Sequence, residues 1–174
     1  MSSSIFSLRS RLPLLTSVVL FCGTIFAWYT TYTDFSRFFT YGGSWLRFSE
    51  TIYPHPATTP CFYGAFAFLA ALVWSLLILC DRIESRKHEQ QKYLVWFLTA
   101  GNLFAWTNAL SQIVRFYTAG PGEKVGCSGV LITNPFATPC FYGASLFLLS
   151  LLIAFLAFYF AEKKEIAPEG DVNV

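Results

Sequence analysis

The sequence predicts an all-α integral membrane protein, with four transmembrane helices made of two tandem, parallel repeats of a helical hairpin and two ordered outer loops. Three observations predict it: a composition poor in charge, four apolar runs of bilayer length, and a six-residue motif that occurs twice. The 174 residues are 55% hydrophobic, 19% aromatic and 13% charged, whereas a soluble domain carries about 25% charge. The apolar residues gather in four runs, at about 12–33, 62–80, 93–114 and 141–160. Each is close to the roughly 20 residues that cross about 30 Å of hydrocarbon as a helix. A helix satisfies its own backbone hydrogen bonds in lipid, and the alternation a membrane β-barrel requires is missing.

The segments follow in order. Residues 1–11 form a cytoplasmic N-terminus, and 12–80 the first hairpin repeat. Residues 81–92 are a short cytoplasmic linker of mixed charge, 93–160 the second hairpin repeat, and 161–174 a cytoplasmic, mobile tail. Arg9 and Arg11 before an apolar run also describe a signal peptide. The run is long for one, however, and Ala27-Trp28-Tyr29 is too bulky for a cleavage site, so the first helix is expected to be retained. Eight of the twelve basic residues (Arg9, Arg11, Arg82, Arg86, Lys87, Lys92, Lys163, Lys164) fall on one side of the four segments and four (Arg37, Arg47, Arg115, Lys124) on the other. The positive-inside rule then makes the chain multi-pass with both termini in the cytoplasm.

The duplication is carried by ordered identities. Thr59-Pro60-Cys61-Phe62-Tyr63-Gly64 recurs as Thr138-Pro139-Cys140-Phe141-Tyr142-Gly143. Phe26-Ala27-Trp28 matches Phe104-Ala105-Trp106, Arg37-Phe38-Phe39-Thr40 matches Arg115-Phe116-Tyr117-Thr118, Gly23 matches Gly101, and Pro56 matches Pro135. A unit of two crossings inserts both copies the same way, so a pseudo-two-fold axis along the membrane normal is expected.

A polar stripe is repeated as well. Gly101, Ala105, Asn108, Gln112 and Arg115 fall on one helical face, and Gly23, Ala27, Thr30, Asp34 and Arg37 are their counterparts. The small residues Gly23, Ala27, Gly101 and Ala105 are the expected packing positions, letting the first and third helices meet closely. The polar ends, Asp34, Arg37, Asn108, Gln112 and Arg115, are the expected lining of an outward-facing cavity for an anionic or carbonyl-bearing ligand. Asp34 and Arg37 are spaced to pair. The plainer reading is that the arginines snorkel to the headgroups and the amides lock helices together.

Of five cysteines, Cys22 and Cys80 read as packing residues. Cys61, Cys127 and Cys140 fall on the outer side, where disulfides persist if it is oxidising, and they are the candidate catalytic residues. Cys127–Cys140 and Cys61–Cys140 are both open as pairings. Four helices with external cysteines resemble, in outline, the quinone-linked disulfide-forming membrane oxidoreductases and the vitamin K epoxide reductases. Those families use a Cys-x-x-Cys pair beside a second pair, and this chain has no Cys-x-x-Cys, so no residue role is carried over.

Two histidines, His55 and His88, lie in loops, and no histidine–carboxylate cluster suggests a metal, so none is expected. There is no phosphate-cradling glycine loop and no serine nucleophile beside a base. A net charge of +2 without a basic block gives no footprint for nucleic acid. The first expectation is therefore a non-enzymatic membrane protein that binds a lipid-like ligand or a partner subunit through the outer cavity, with no cofactor. The alternative is a membrane thiol–disulfide oxidoreductase using Cys61, Cys127 and Cys140 with a quinone. A small transporter or channel, acting as a homo-oligomer, is the third. Besides the bilayer, the expected partners are a second copy or a membrane subunit.

Overall fold

The computed structural model describes residues 2–41, 43, 54–81, 84–120 and 124–166, with the side chains of 2–10, 84–85 and 162–166 left aside. Among these residues the chain is all-helical: α1 (Ser2–Thr40), α2 (Pro60–Cys80), α3 (Glu84–Thr118) and α4 (Pro139–Ile166), with single 3-10 turns at Pro56–Thr58 and Pro135–Ala137. No named strand occurs among them, and one isolated antiparallel bridge joins Val125 to Leu131. Most of the loop between α1 and α2, including Arg47, and the end of the tail lie outside the described residues.

The helices overrun the apolar segments that announce them, because polar ends extend a helix into water without breaking its backbone ladder. α2 and α4 each open on a proline, whose missing N–H and fixed φ suit the first turn. Within α1, α3 and α4 the hydroxyls turn back on their own helix: Thr24 Oγ1 donates to Leu20 O at 2.7 Å, Thr99 to Val95 O at 2.8 Å and Ser150 to Leu146 O at 2.9 Å. That disposes of polar hydrogens where no water competes for them.

Three stretches are long and apolar enough to cross a membrane: Arg11–Thr40, Pro60–Cys80 and Pro139–Ala161. Large apolar side chains point outward all along them, as at Ile25, Val73, Leu77 and Phe155, where a soluble protein would not leave so broad an apolar surface. This marks the chain as a membrane protein. α3, which the sequence marks as a fourth crossing, is not among the three; Asn102, Thr107, Asn108, Ser111 and Gln112 dilute its apolar run.

α1 packs against α2 and α4, and α3 against α4 and α2, while among the described residues α1 and α3 nowhere bring their Cα atoms within 8 Å of each other. The expected meeting of the first and third helices through Gly23, Ala27, Gly101 and Ala105 does not occur. Aromatic rings fill the space instead. Phe68 of α2 covers Gly23, and Phe147 of α4 covers Gly101, so closely that a Cβ at Gly101 would lie 2.5 Å from Phe147 Cε1. The two rings then meet each other, 4.4 Å between centroids, at the centre of the molecule. Small residues permit a close neighbour, but a ring from the adjacent helix takes the place sooner than a distant backbone. Leu20, Leu94 and Leu98 complete the core. Polar ties pin the helices below it: Ser17 Oγ and Ser75 Oγ are 2.7 Å apart, Trp74 Nε1 donates to Gln90 Oε1 at 2.9 Å, and buried Gln91 Nε2 donates to Ala154 O at 3.2 Å.

Candidate functional site

The end of the molecule at which α1 and α3 finish and α2 and α4 begin gathers the candidate residues. The two 3-10 turns are built alike. His55 Nδ1 accepts from Ala57 N at 3.2 Å, and Asn134 Oδ1 accepts from Phe136 N at 2.9 Å. Thr59 Oγ1 donates to Pro56 O at 2.7 Å, and Thr138 Oγ1 to Pro135 O at 2.9 Å. Each turn thereby delivers the chain to a helix whose second residue is a cysteine, Cys61 in α2 and Cys140 in α4.

Cys127 arrives from a tight turn between α3 and α4. Gly126 N donates to Val130 O at 2.7 Å, and Gly129 N to Gly126 O at 3.0 Å, which places Cys127 and Ser128 at the tip. Gly129 has φ 72°, the left-handed region that a residue with Cβ enters at a cost. Cys127 and Cys140 lie at disulfide distance, with a sequence separation of 13. Cys61 Sγ is 3.3 Å from Cys127 Sγ and 3.3 Å from Cys140 Sγ. The structure thus brings all three candidate cysteines into one cluster, while Cys22 and Cys80 stand apart on exposed helix faces. Of the two pairings the sequence left open, the described geometry has Cys127–Cys140.

Asp34 holds the turn in place. Its carboxylate, 9% exposed, accepts a hydrogen bond from Ser128 Oγ at 2.9 Å. Arg37 Nη1 stands 3.8 Å away on the other oxygen, with its side chain half exposed. The stronger partner of Asp34 is therefore the residue next to Cys127, which sequence reasoning did not single out: a loop serine carries no distinguishing mark.

The five expected cavity residues divide. Asp34 and Arg37 sit with the Cys127 turn. Asn108, Gln112 and Arg115 line a cavity of about 490 Å³ with Lys124, Pro60 and Cys127. A second, apolar groove of about 60 Å³ runs inward from Cys61 and Cys140 to the Phe68 and Phe147 rings, with Ala27, Gly101 and Ala105 among its walls. It is well under the roughly 150 Å³ of a cavity that accommodates a benzene ring.

Chemically, three sulfurs at these distances can exchange a disulfide. Reduced, they also offer three thiolates to a thiophilic ion, since their donor atoms all lie within 4.8 Å of one another. Cysteines at 61, 127 and 140 show none of the short spacings of a metal motif, so this trio is visible only in three dimensions. Compared with protein-family models, curated proteins and solved structures, the chain matches none of them.

Proposed function

We propose that the chain is a four-helix-bundle membrane protein, duplicated from one hairpin, that carries out thiol–disulfide exchange on the outer side of the membrane. The observation that carries this reading is Cys61 Sγ at 3.3 Å from both sulfurs of the Cys127–Cys140 pair. An attacking thiolate forms a mixed disulfide with one sulfur and expels the other as thiolate; a second thiol then resolves it. The sum is two thiols of a partner against one disulfide of the chain, giving one partner disulfide and the chain's dithiol. The third cysteine adds an internal step. Attack by Cys61 on Cys140 forms Cys61–Cys140 and frees Cys127, with no electrons gained or lost.

Four points support the setting. The exposed face of α3 carries Trp96, Leu103, Leu110 and Val114 at helical spacing, an apolar stripe suited to lipid, while buried Gln112 faces the protein; this favours a fourth crossing. Four crossings and the eight-to-four distribution of basic residues favour cytoplasmic termini. The cysteine end then lies outside, where a disulfide persists. Matching ring-over-glycine contacts and matching caps favour duplication. A transporter gains no support from a centre closed by Phe68 and Phe147.

The test is labelling in intact membranes with a bulky maleimide, with and without prior reduction, on wild type and single cysteine variants. Wild type should show Cys127 and Cys140 shifting only after reduction. Cys127→Ser should form Cys61–Cys140 instead. Free labelling of all three cysteines in oxidising buffer would sink the reading. Zinc retained by the reduced chain, and lost in every single variant, would move the trio to metal binding.

A further inference from the structure

Resting on the exchange reading, we infer that the cavity beside Cys127 is the substrate site, and that its substrate is a small thiol carrying negative charge. The walls argue for it. Arg115 and Lys124 line the cavity, and neither meets a carboxylate among the described residues. Lys124 Nζ is held over the Phe116 ring, 4.4 Å from its centroid, a placement that leaves its charge available to a ligand. Both cations therefore line the same space, and no described carboxylate pairs with either.

Gln112 is the second observation. Its side chain is 7% exposed, yet neither Nε2 nor Oε1 has a hydrogen-bond partner. A buried amide left unpaired is unfavourable by about 1–3 kcal/mol, and buried polar groups are ordinarily satisfied. Its neighbour is Gly126, at the base of the turn that holds Cys127; a Cβ there would be 3.1 Å from Gln112 Nε2. Gln112 and Cys127 line the same cavity, and a small shift of the Gln112 side chain toward a ligand with peptide-like groups would satisfy both its amide ends.

Size and access agree. About 490 Å³ falls within the 300–1,000 Å³ usual for small-molecule sites and is too little for a folded protein. Cys127 lines this cavity, whereas Cys140 lines the apolar groove. A thiolate seated in the cavity attacks Cys127 Sγ, forming a mixed disulfide there and releasing Cys140 as thiolate. A second thiol attacks the mixed disulfide, releasing the substrate as its symmetrical disulfide and leaving Cys127 reduced.

The experiment uses the full chain in detergent, with the disulfide intact, and follows its loss by maleimide gel shift. The probes are 3-mercaptopropionate, 2-mercaptoethanol, cysteamine and glutathione, each at matched thiolate concentration. At low ionic strength the anionic probes should react about tenfold faster than cysteamine, in keeping with electrostatic steering by two cations, and salt should erode the difference. Arg115→Gln and Lys124→Gln should each remove most of that preference, slowing the thiolates of 3-mercaptopropionate and glutathione more than the less charged thiolate of 2-mercaptoethanol and leaving cysteamine least affected, and Arg115→Lys should retain it. Equal rates for anionic and cationic probes in wild type, or a preference that survives both neutralisations, would overturn the inference. No reduction by any probe would instead overturn the exchange reading beneath it.

Discussion

Among the described residues, the α1–α2 and α3–α4 hairpins share a ring laid over a glycine and a capped 3-10 turn, and they differ most visibly at the cysteine end. Phe68 lies on Gly23 in one, and Phe147 on Gly101 in the other. His55 caps one 3-10 turn and Asn134 the other. Yet between α3 and α4 the chain inserts a tight turn bearing Cys127 and Ser128, and no described residue of the first hairpin does the same. Two cysteines at matched helix starts would make a symmetrical pair. A third sulfur breaks the tie, binds Cys140 and leaves Cys61 as the spare. The shared parts make a scaffold, and the unshared turn brings the third sulfur.

That division can be broken first at the scaffold. Phe147→Ala should lower stability by about 3–5 kcal/mol, the usual loss for emptying a buried ring site. Gly101→Ala should cost about 1–3 kcal/mol by overpacking. Combined, the two should cost clearly less than their sum, because the added methyl occupies the vacated space. Gly101→Ala with Phe68→Ala should behave more nearly as independent changes. Thermal unfolding in detergent reads all of these, and simple additivity in the first pair would show that ring and glycine do not meet.

How much of this was legible in the sequence follows from the same contrast. Helix number, the proline starts and the placing of two cysteines at those starts could all be read, because each depends on local composition. The partners of Gly23 and Gly101 could not. Small residues announce a close approach without saying what approaches, and a phenylalanine on the next helix looks like any other lipid-facing residue. Cys140 lies 13 residues from Cys127 and 79 from Cys61, and both come within reach, so only the folded turn could choose between the pairings left open. Asp34 was marked by its charge in an apolar helix, but its partner was read as Arg37, four-fifths of a helical turn away. Ser128 comes nearer, from across the molecule.

Ser128 gives the next, smaller effect. Ser128→Ala leaves the Asp34 carboxylate without its 2.9 Å donor and the Cys127 turn without its anchor on α1. Losing one partner of a charge-assisted hydrogen bond costs about 1.5–3 kcal/mol. The cost falls on the arrangement that holds Cys127 near Cys140, so it should appear as redistribution between disulfides. Peptide mapping of the oxidised protein should show Cys61–Cys140 rising at the expense of Cys127–Cys140. An unchanged distribution would make the Asp34–Ser128 bond a bystander.

The smallest expected effect tests whether the two caps are equivalent. His55 and Asn134 differ in chemistry, but each offers one acceptor to the N–H two residues on, the arrangement that favours asparagine at such turns. If accepting is all His55 contributes, His55→Asn should be close to neutral, within about 0.5 kcal/mol, and His55→Ala should cost about 1 kcal/mol. His55 also lies edge-on to Phe38, 4.9 Å between ring centroids, a contact with no aromatic counterpart at Asn134. A His55→Asn loss as large as the alanine loss would therefore place the importance of His55 in its ring. The first hairpin would then be anchored by packing where the second is anchored by a cap, and the scaffold itself would be less symmetrical than its matching glycines imply.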